Sequence, residues 1–392
     1  MKKPFIEQLE NIYPQMVTWR RYLHQNPELS YHEEHTAHFI AELLRSWGID
    51  VLTQVGGHGV VGIIRGRHSG PTVALRADMD ALAIQDEKLC DYSSKVPGVM
   101  HACGHDAHTA ILLGIAYTAS HLQAQLQGNL VLVFQPAEEI TPGGALAMIR
   151  DGVLAGIDVI YGVHLWTPYP VGHIYAREGA MMAASDEFTI NIKGKGGHGG
   201  LPHQTIDSIA IASHLVVNLQ SIVSRHVDPT KPCVISVGSI QGGSVFNVIA
   251  ETCQLKGTVR TFDALLRIEV KSRIEQMIAS TCAMFNATYE WECIWGYPAL
   301  VNHVKEVQRF HEVGARLLGE SFVHDAPLIM AAEDFSYYIQ KVPGCFMFVG
   351  AGNEQLGIES PHHHPMFDID ETAMRVASQL LLSMALHYME SK

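Results

Sequence analysis

The sequence predicts an α/β protein with a mostly parallel sheet covered by helices, interrupted by a smaller ferredoxin-like α+β domain. Over 1–181, and again over 297–392, apolar β-branched runs alternate with amphipathic segments. Strands separated by helices usually form a parallel sheet that is covered on both faces. Over 182–296 the order changes to strand, helix, strand, strand, helix, strand. This split β-α-β order predicts an inserted domain with its own core.

The individual elements follow from hydrophobic periodicity. In the first segment, apolar positions at helical spacing predict helices at 5–24, 33–47, 107–124 and 143–150. Pro14 is expected to start or kink the first helix. Short β-branched runs predict strands at 60–64, 72–77, 129–134 and 158–163. The glycine-rich stretch at 56–62 predicts a hairpin or turn.

The inserted segment and the chain that follows it are interpreted in the same way. Four strands are expected at 186–193, 233–240, 251–260 and 287–295. Helices are expected at 205–223 and 263–284. The last segment returns to alternation and closes with a long amphipathic helix at about 370–389.

Composition and charge exclude some classes of function. The net charge of −13 argues against a nucleic-acid surface, which needs a basic stripe. No apolar run reaches the roughly 18 residues of a membrane span, and the start of the sequence lacks the apolar core of a signal peptide. The seven cysteines are scattered and form no CxxC motif, which is typical of reduced thiols. We therefore expect a cytoplasmic protein.

The densest chemical motif is MHACGHDAHTA, at 100–110. Cys103 and His105 are two apart on a glycine-containing loop, where extended backbone would direct both to one side. Thiolate and imidazole together suit a borderline-soft divalent metal such as zinc. Asp106 is either a helix N-cap or a catalytic group. His101 has a supporting role, and the role of His108 stays open.

Three further sites carry polar groups near predicted strand ends or turns, where ligands gather in α/β sheets. Glu138 and Glu139 follow a buried-looking strand, so one could bind a metal while its neighbour faces the bound water. The alternative is a solvated loop. His164 follows the run at 158–163, and a lone histidine there is more often structural. Three consecutive histidines lie between Pro361 and Pro365.

Two other motifs are less informative. The stretch His32-Glu33-Glu34-His35 lacks the histidine spacing of zinc-peptidase helices, and we interpret it as an exposed helix start. The glycine cluster at 194–200 lets backbone approach a ligand closely, but it lacks the Gly-Lys-Ser/Thr ending of a phosphate loop.

Taken together, the motifs resemble a known family. They are, in order, RRYLHQNPELSYHEEHTAHFI, ALRADMDALAI, MHACGHDAHTA, QPAEE, GVHLW, GKGGHGGLPH, GTVRTFD and AAEDFSYY. The ordered set covers nearly the whole chain and resembles the aminoacylase, hippurate hydrolase and auxin-conjugate amidohydrolase family of dinuclear metallopeptidases. The resemblance implies a catalytic domain at 1–181 and 297–392, interrupted by a lid and dimerisation domain at 182–296.

The resemblance also implies a site with two divalent metal ions, either zinc or manganese, with cobalt or nickel also compatible. The implied ligands are Cys103, His105, Glu139, His164 and His363. Cys103 would bridge the two ions, and Glu138 would be the general acid/base. His363 is selected by counting back from Pro365, with His362 and His364 as alternatives.

The expected reaction is hydrolysis of a small-molecule N-acyl-L-amino acid by a homodimer that forms through the lid. His198 would reach the partner's active site, and Asn247 and Arg260 would face the substrate carboxylate. The alternatives are a dipeptidase or carboxypeptidase on the same fold, a cysteine hydrolase that uses Cys103 with His105 or His108, and a non-catalytic metal-binding or peptide-binding protein.

Overall fold

The structure is a computed structural model that describes residues 3–391. This described chain divides into two compact units. The first comprises the residues up to Gly179, Val301–Pro327 and the residues from Asp334 onward. The second comprises Ala180–Leu300 together with Leu328–Glu333. Each unit has a hydrophobic core of its own. Between residues 3 and 391, no helix has the length and apolarity needed to cross a membrane.

Helices and strands alternate along most of the chain. The helices are α1 (Lys3–Gln25), α2 (Glu34–Ser46), α3 (His105–His121), α4 (Gly144–Arg150), α5 (Ser208–Ser221), α6 (Ala264–Met284), α7 (Val304–Leu318), α8 (Ser336–Ile339) and α9 (Ala373–Glu390). The strands are β1 (Asp50–Val55), β2 (Gly59–Arg65), β3 (His68–Asp78), β4 (Gln127–Gln135), β5 (Val159–Pro170), β6 (Ile174–Ala176), β7 (Gly179–Met182), β8 (Ala184–Lys193), β9 (Gly197–His198), β10 (Cys233–Gly242), β11 (Val248–Ile249), β12 (Thr252–Thr261), β13 (Thr288–Trp295), β14 (Leu300–Asn302), β15 (Val323–Asp325) and β16 (Gly344–Gly352).

The first unit is built on a sheet with the strand order β1-β2-β4-β3-β5-β16-β6-β15. Its centre, β4-β3-β5-β16, is parallel. β16 is buried along its whole length and β4 over most of it, which explains their continuous apolar sequence. The predicted α/β class with a mostly parallel sheet is therefore confirmed. The flanks are partly antiparallel, because β1 and β2 form the hairpin expected at 56–62 and β6 runs against β16.

Pro14 lies inside α1, which runs from Lys3 to Gln25 with Phe5 and Met16 buried on either side of the proline, so Pro14 does not start the helix and the kink stays a prediction. One local prediction for the first unit is wrong. His164 does not follow its strand. β5 continues to Pro170 because β16 pairs with it beyond this point, with His164 opposite Phe348.

The second unit contains an antiparallel sheet of order β10-β12-β8-β13. Along the chain, the four strands and the helices α5 and α6 follow the split β-α-β order that the sequence predicts. Both helices have an aspartate as N-cap. The Asp207 side chain accepts hydrogen bonds from the backbone N–H groups of residues 209 and 210, and the Asp263 side chain accepts one from the N–H of Leu266. The buried core lies between the helices and the alternate, inward-facing residues of the strands.

A buried ion cluster joins α1 to the start of α3. Arg20 is fully buried and donates to Asp106 (2.9 Å) and to Asp368 (2.7 Å), while His24 Nδ1 lies 2.7 Å from Asp106 Oδ2. The helix is preceded by Gly104, and no side chain caps it. The N-cap interpretation of Asp106 is therefore wrong. Burial alone would raise the pKa of this carboxyl, but Arg20 and His24 hold it well below its ordinary value.

We expect Asp106→Asn to lower the free energy of unfolding by about 3 kcal/mol at pH 7, because it removes one partner of a buried ion pair. Urea denaturation measures the change. Glu269→Gln is the matched control, since Glu269 pairs with Arg273 on the exposed face of α6. That replacement should cost less than about 0.5 kcal/mol. Equal costs for the two variants would show that the Asp106 cluster does not stabilise the fold.

Candidate metal centre

Cysteine, histidine and carboxylate side chains converge at the carboxyl edge of the main sheet. Cys103 lies in the loop before α3, His105 begins α3, Glu139 follows β4 and His164 lies within β5. Cys103 Sγ is 3.4 Å from His164 Nε2, and His105 Nε2 is 3.8 Å from Glu139 Oε1. Among residues 3–391, Cys103 belongs to one cluster with His105 and Glu139 and to another with His164 and His362, each within 4.8 Å.

The histidines at 362 and 363 contact different parts of this edge. His362 is stacked on Trp166, with ring centroids 4.4 Å apart, and its Nε2 is 3.0 Å from the Leu165 carbonyl. His363 is half exposed, and its Nε2 lies 3.3 Å from Glu139 Oε1. Its backbone N–H donates to Ala102 O, and its φ of +64° is unusual for a residue with a side chain.

Asp80 orients the His105 ring. Nδ1 of His105 is 3.0 Å from the Asp80 carbonyl and 3.2 Å from its Oδ1, so Nδ1 carries the proton and Nε2 faces the cluster. His105 Nε2 is buried and has no hydrogen-bond partner among residues 3–391. Because buried polar atoms are normally satisfied, this nitrogen fits a metal ligand. Burial alone would lower the pKa of His105, but Asp78 and Asp80 raise it to about 10. The two carboxylates thus favour a positive charge at Nε2, and a bound cation would take the place of the proton there.

His108, whose role the sequence leaves open, is held by hydrogen bonds at both ring nitrogens. Nδ1 is 2.7 Å from Asp78 Oδ1, and Nε2 accepts the Leu165 N–H at 2.9 Å. Asp78 also accepts from Arg76. His108 therefore joins α3 to β3 and β5. His101 is buried nearby, and burial lowers its pKa to about 4.

The loop that carries Glu138 and Glu139 is anchored and buried. Glu138 is 7% exposed, so the alternative of a solvated loop is wrong. The Ala137 N–H donates to Glu33 at 2.7 Å, and the Glu139 N–H donates to Asp80 at 3.0 Å. The helix does start at Glu34, and His32, Glu34 and His35 are exposed as expected, but Glu33 is fully buried, so for this one residue the prediction of an exposed position is wrong.

Sequence reasoning missed Asp78, Asp80 and Glu33 as parts of this site. Asp78 ends β3, and it pairs across the sheet with Gln135 at the end of β4. The rule that selected the residues after β4, polar groups at the end of a buried strand, would have selected Asp78 and Asp80 as well. Glu33 carried no comparable local signal, since charged helix starts are usually solvated.

The candidate groups of the second unit lie on its ribbon and sheet. His198 is exposed in β9, which pairs with β11, and the Gly199 N–H donates to the Asn247 carbonyl at 2.8 Å. His198 and Asn247 therefore share one exposed ribbon. Arg260 lies on β12 with its Nη1 buried and without a hydrogen-bond partner among the described residues. Burial lowers the pKa of Arg260, although Glu187 and Asp186 act in the opposite direction.

A family model described as peptidase family M20/M25/M40 matches residues 74–387. The chain belongs to this family. It is 46% identical over 304 residues to an N-acyl-L-amino acid amidohydrolase of Geobacillus stearothermophilus, covering 77% of this chain and 82% of the relative. It is 40% identical over 380 residues to thermostable carboxypeptidase 2 of Saccharolobus solfataricus, covering 95% of this chain and 96% of the relative.

Among solved structures, the M20 chain is similar to the YXEP protein of Bacillus subtilis, described as a dinuclear metal binding peptidase from the M20 family. The TM-score is 0.84 at 35% identity, with 98% of this chain and 100% of that chain covered. The family that the ordered motifs predict is therefore confirmed, and so is the prediction of an amide hydrolase.

We expect Cys103 of the metal-free M20 protein to react with iodoacetamide at least about tenfold more slowly than Cys90, because only the thiolate reacts. Burial, and then the nearby charges of Glu139 and Glu138, raise the pKa of the Cys103 thiol well above its ordinary value. Timed alkylation with peptide mass mapping measures both sites, and urea-unfolded protein is the control in which the difference should disappear. Preferential labelling of Cys103 would instead support a cysteine nucleophile.

Proposed function

We propose that this M20 protein hydrolyses the amide bond of N-acyl-L-amino acids at a centre of two divalent metal ions. The observation that carries the proposal is the position of Cys103, which belongs to two adjoining clusters of ligand atoms. A thiolate in that position is suited to bridge two cations. The similarity to the Geobacillus amidohydrolase supports the class of substrate.

In this proposal Cys103, His105, Glu139, His164 and His363 would hold the ions. The mixture of thiolate, imidazole and carboxylate suits zinc, and it is compatible with manganese, cobalt or nickel. The 3.3 Å distance from His363 Nε2 to Glu139 Oε1 supports His363, while His362, which shares a ligand cluster with Cys103 and His164, is the alternative ligand. When bound, such ions polarise an amide carbonyl and lower the pKa of a coordinated water.

Glu138 is the proposed general acid/base. Adjacent residues diverge in direction, so Glu138 can face the reacting water while Glu139 serves as a ligand. The buried carboxylate removes a proton from the attacking water and returns it to the leaving amine. Both proton transfers use the Glu138 carboxylate, so its position must be fixed. The hydrogen bonds of the neighbouring Ala137 and Glu139 N–H groups are consistent with this requirement.

We assign substrate recognition to the second unit and catalysis to the first, with domains at 182–296 and at 1–181 plus 297–392. Arg260 offers a planar fork to the substrate's α-carboxylate, and its Nη1 lacks a partner among the described residues. Asn247 assists Arg260. The exposed His198 acts on the active site of a partner subunit, in a homodimer formed through this domain.

The test of the proposed function combines metal removal with Glu138→Gln. Exhaustive chelation should abolish hydrolysis of N-acetyl and N-benzoyl amino acids, and added zinc or manganese should restore it. Glu138→Gln should bind metal normally, but kcat should fall about 10²- to 10⁴-fold because proton transfer is lost.

Dipeptides complete the substrate panel, because the similarity to a carboxypeptidase favours peptide hydrolysis as a second candidate function. Faster cleavage of dipeptides would select that candidate. Activity that survives metal removal would eliminate the metal mechanism, and metal binding without hydrolysis of any substrate would favour a binding protein.

The dimer proposal predicts complementation between two inactive variants. His198→Ala and Glu138→Gln should each have low kcat, whereas a mixture should recover up to about a quarter of wild-type activity, because one site of each mixed dimer is intact. Subunit exchange is verified by native mass spectrometry, and His203→Ala, a nearby exposed histidine, is the control. Exchange without recovery would show that His198 does not act on the partner.

A further inference from the structure

We propose that Glu33 is a positioning residue for catalysis, holding the segment 137–139 so that Glu138 and Glu139 keep their separate directions. The inference rests on the roles proposed above for these two glutamates. Glu33 lies in the stretch that precedes α2, and it reaches a loop 104 residues further along the chain. The Glu33 side chain contacts the backbone of this loop.

The Glu33 contact is short and buried. Its Oε1 accepts the Ala137 N–H at 2.7 Å, and the whole residue is inaccessible to solvent. This bond gives the Ala137 N–H the acceptor that a buried backbone donor requires. Without Glu33, the Ala137 N–H would be buried without an acceptor, which the loop would avoid by moving.

The conformation of Ala137 makes this anchor important. Its φ is +52°, in the left-handed region that residues with a side chain seldom occupy. Such a conformation persists only where the surroundings impose it. Here the Ala137 carbonyl accepts the Gly144 N–H at 2.9 Å, and the Glu139 N–H donates to Asp80 at 3.0 Å. The backbone N–H groups of Ala137 and Glu139, on either side of Glu138, thus each donate to a buried carboxylate.

A simple role for Glu33 in starting α2 does not explain these contacts. Glu33 directly precedes the helix, but its side chain makes no capping bond. The N–H groups of His35 and Thr36 in the first turn of the helix instead donate to the Glu28 carboxylate, at 3.1 and 2.8 Å. Glu28 therefore caps the helix, while Glu33 binds the catalytic loop. This division of roles supplies a matched control.

The experiment compares Glu33→Ala, Glu33→Gln and Glu28→Ala. Glu33→Ala should lower kcat and weaken metal affinity, each by about 10- to 100-fold, as is usual when a group that orients a ligand is lost. KM should change little. Glu33→Gln keeps an acceptor oxygen and should stay within about threefold of wild type in both quantities. A neutral amide is a close mimic because burial, followed by the charge of Asp80, raises the pKa of Glu33 to about 7.

Glu28→Ala should lower the melting temperature as a lost helix cap does, while kcat and metal affinity remain unchanged. Chelator competition gives metal affinity independently of activity. The inference is overturned if folded Glu33→Ala keeps wild-type kcat and metal affinity, or if Glu28→Ala reduces both as strongly. Parallel assays of Glu138→Gln separate the two proposals: full activity there refutes the general-base role, whereas an inactive Glu138→Gln beside an active Glu33→Ala refutes only the positioning role.

Discussion

The geometry of the candidate centre depends on the buried carboxylate of Asp80. Its Oδ2 accepts the Ser30 hydroxyl at 2.6 Å and the Glu139 N–H at 3.0 Å, while its Oδ1 faces His105 Nδ1. Burial alone would raise the pKa of Asp80, but the hydrogen bonds and charge of His105 hold it below its ordinary value. The carboxylate is therefore ionised, and it holds the turn at Ser30, the Glu139 backbone and the His105 ring near the end of β3.

The same constraint, that a buried charge must be compensated, extends beyond Asp80. Asp78 is paired with Arg76 and His108, and Asp106 is paired with Arg20 and His24. Replacing a buried ion pair by apolar residues of similar volume is often neutral or even increases the free energy of unfolding. Stability alone therefore does not explain these pairs. At the cluster, His105 Nε2 and Glu139 Oε1 are buried without a hydrogen-bond partner among the described residues. These two atoms lie 3.8 Å apart, where a cation could bind both.

Much of the fold was predictable because it rests on local periodicity. The buried runs that became β3, β4 and β5 and the helices of the second unit follow directly from it. Strand order is not a local property, so the antiparallel pairing of β6 with β16 and the pairing that extends β5 past His164 were not predictable. Glu33 was missed for the same reason, because its partner is 104 residues away and only the folded chain brings them together.

The three consecutive histidines make different contacts although they are identical in residue type. His362 is turned towards Trp166 and the Leu165 carbonyl, and His364 Nδ1 accepts the Met366 N–H. At His363 the left-handed φ reverses the chain, so that its ring nitrogen faces Glu139. All three positions offer the same imidazole chemistry. Because their hydrogen bonds differ, the run offers Glu139 one neighbouring ring nitrogen instead of three competing ones.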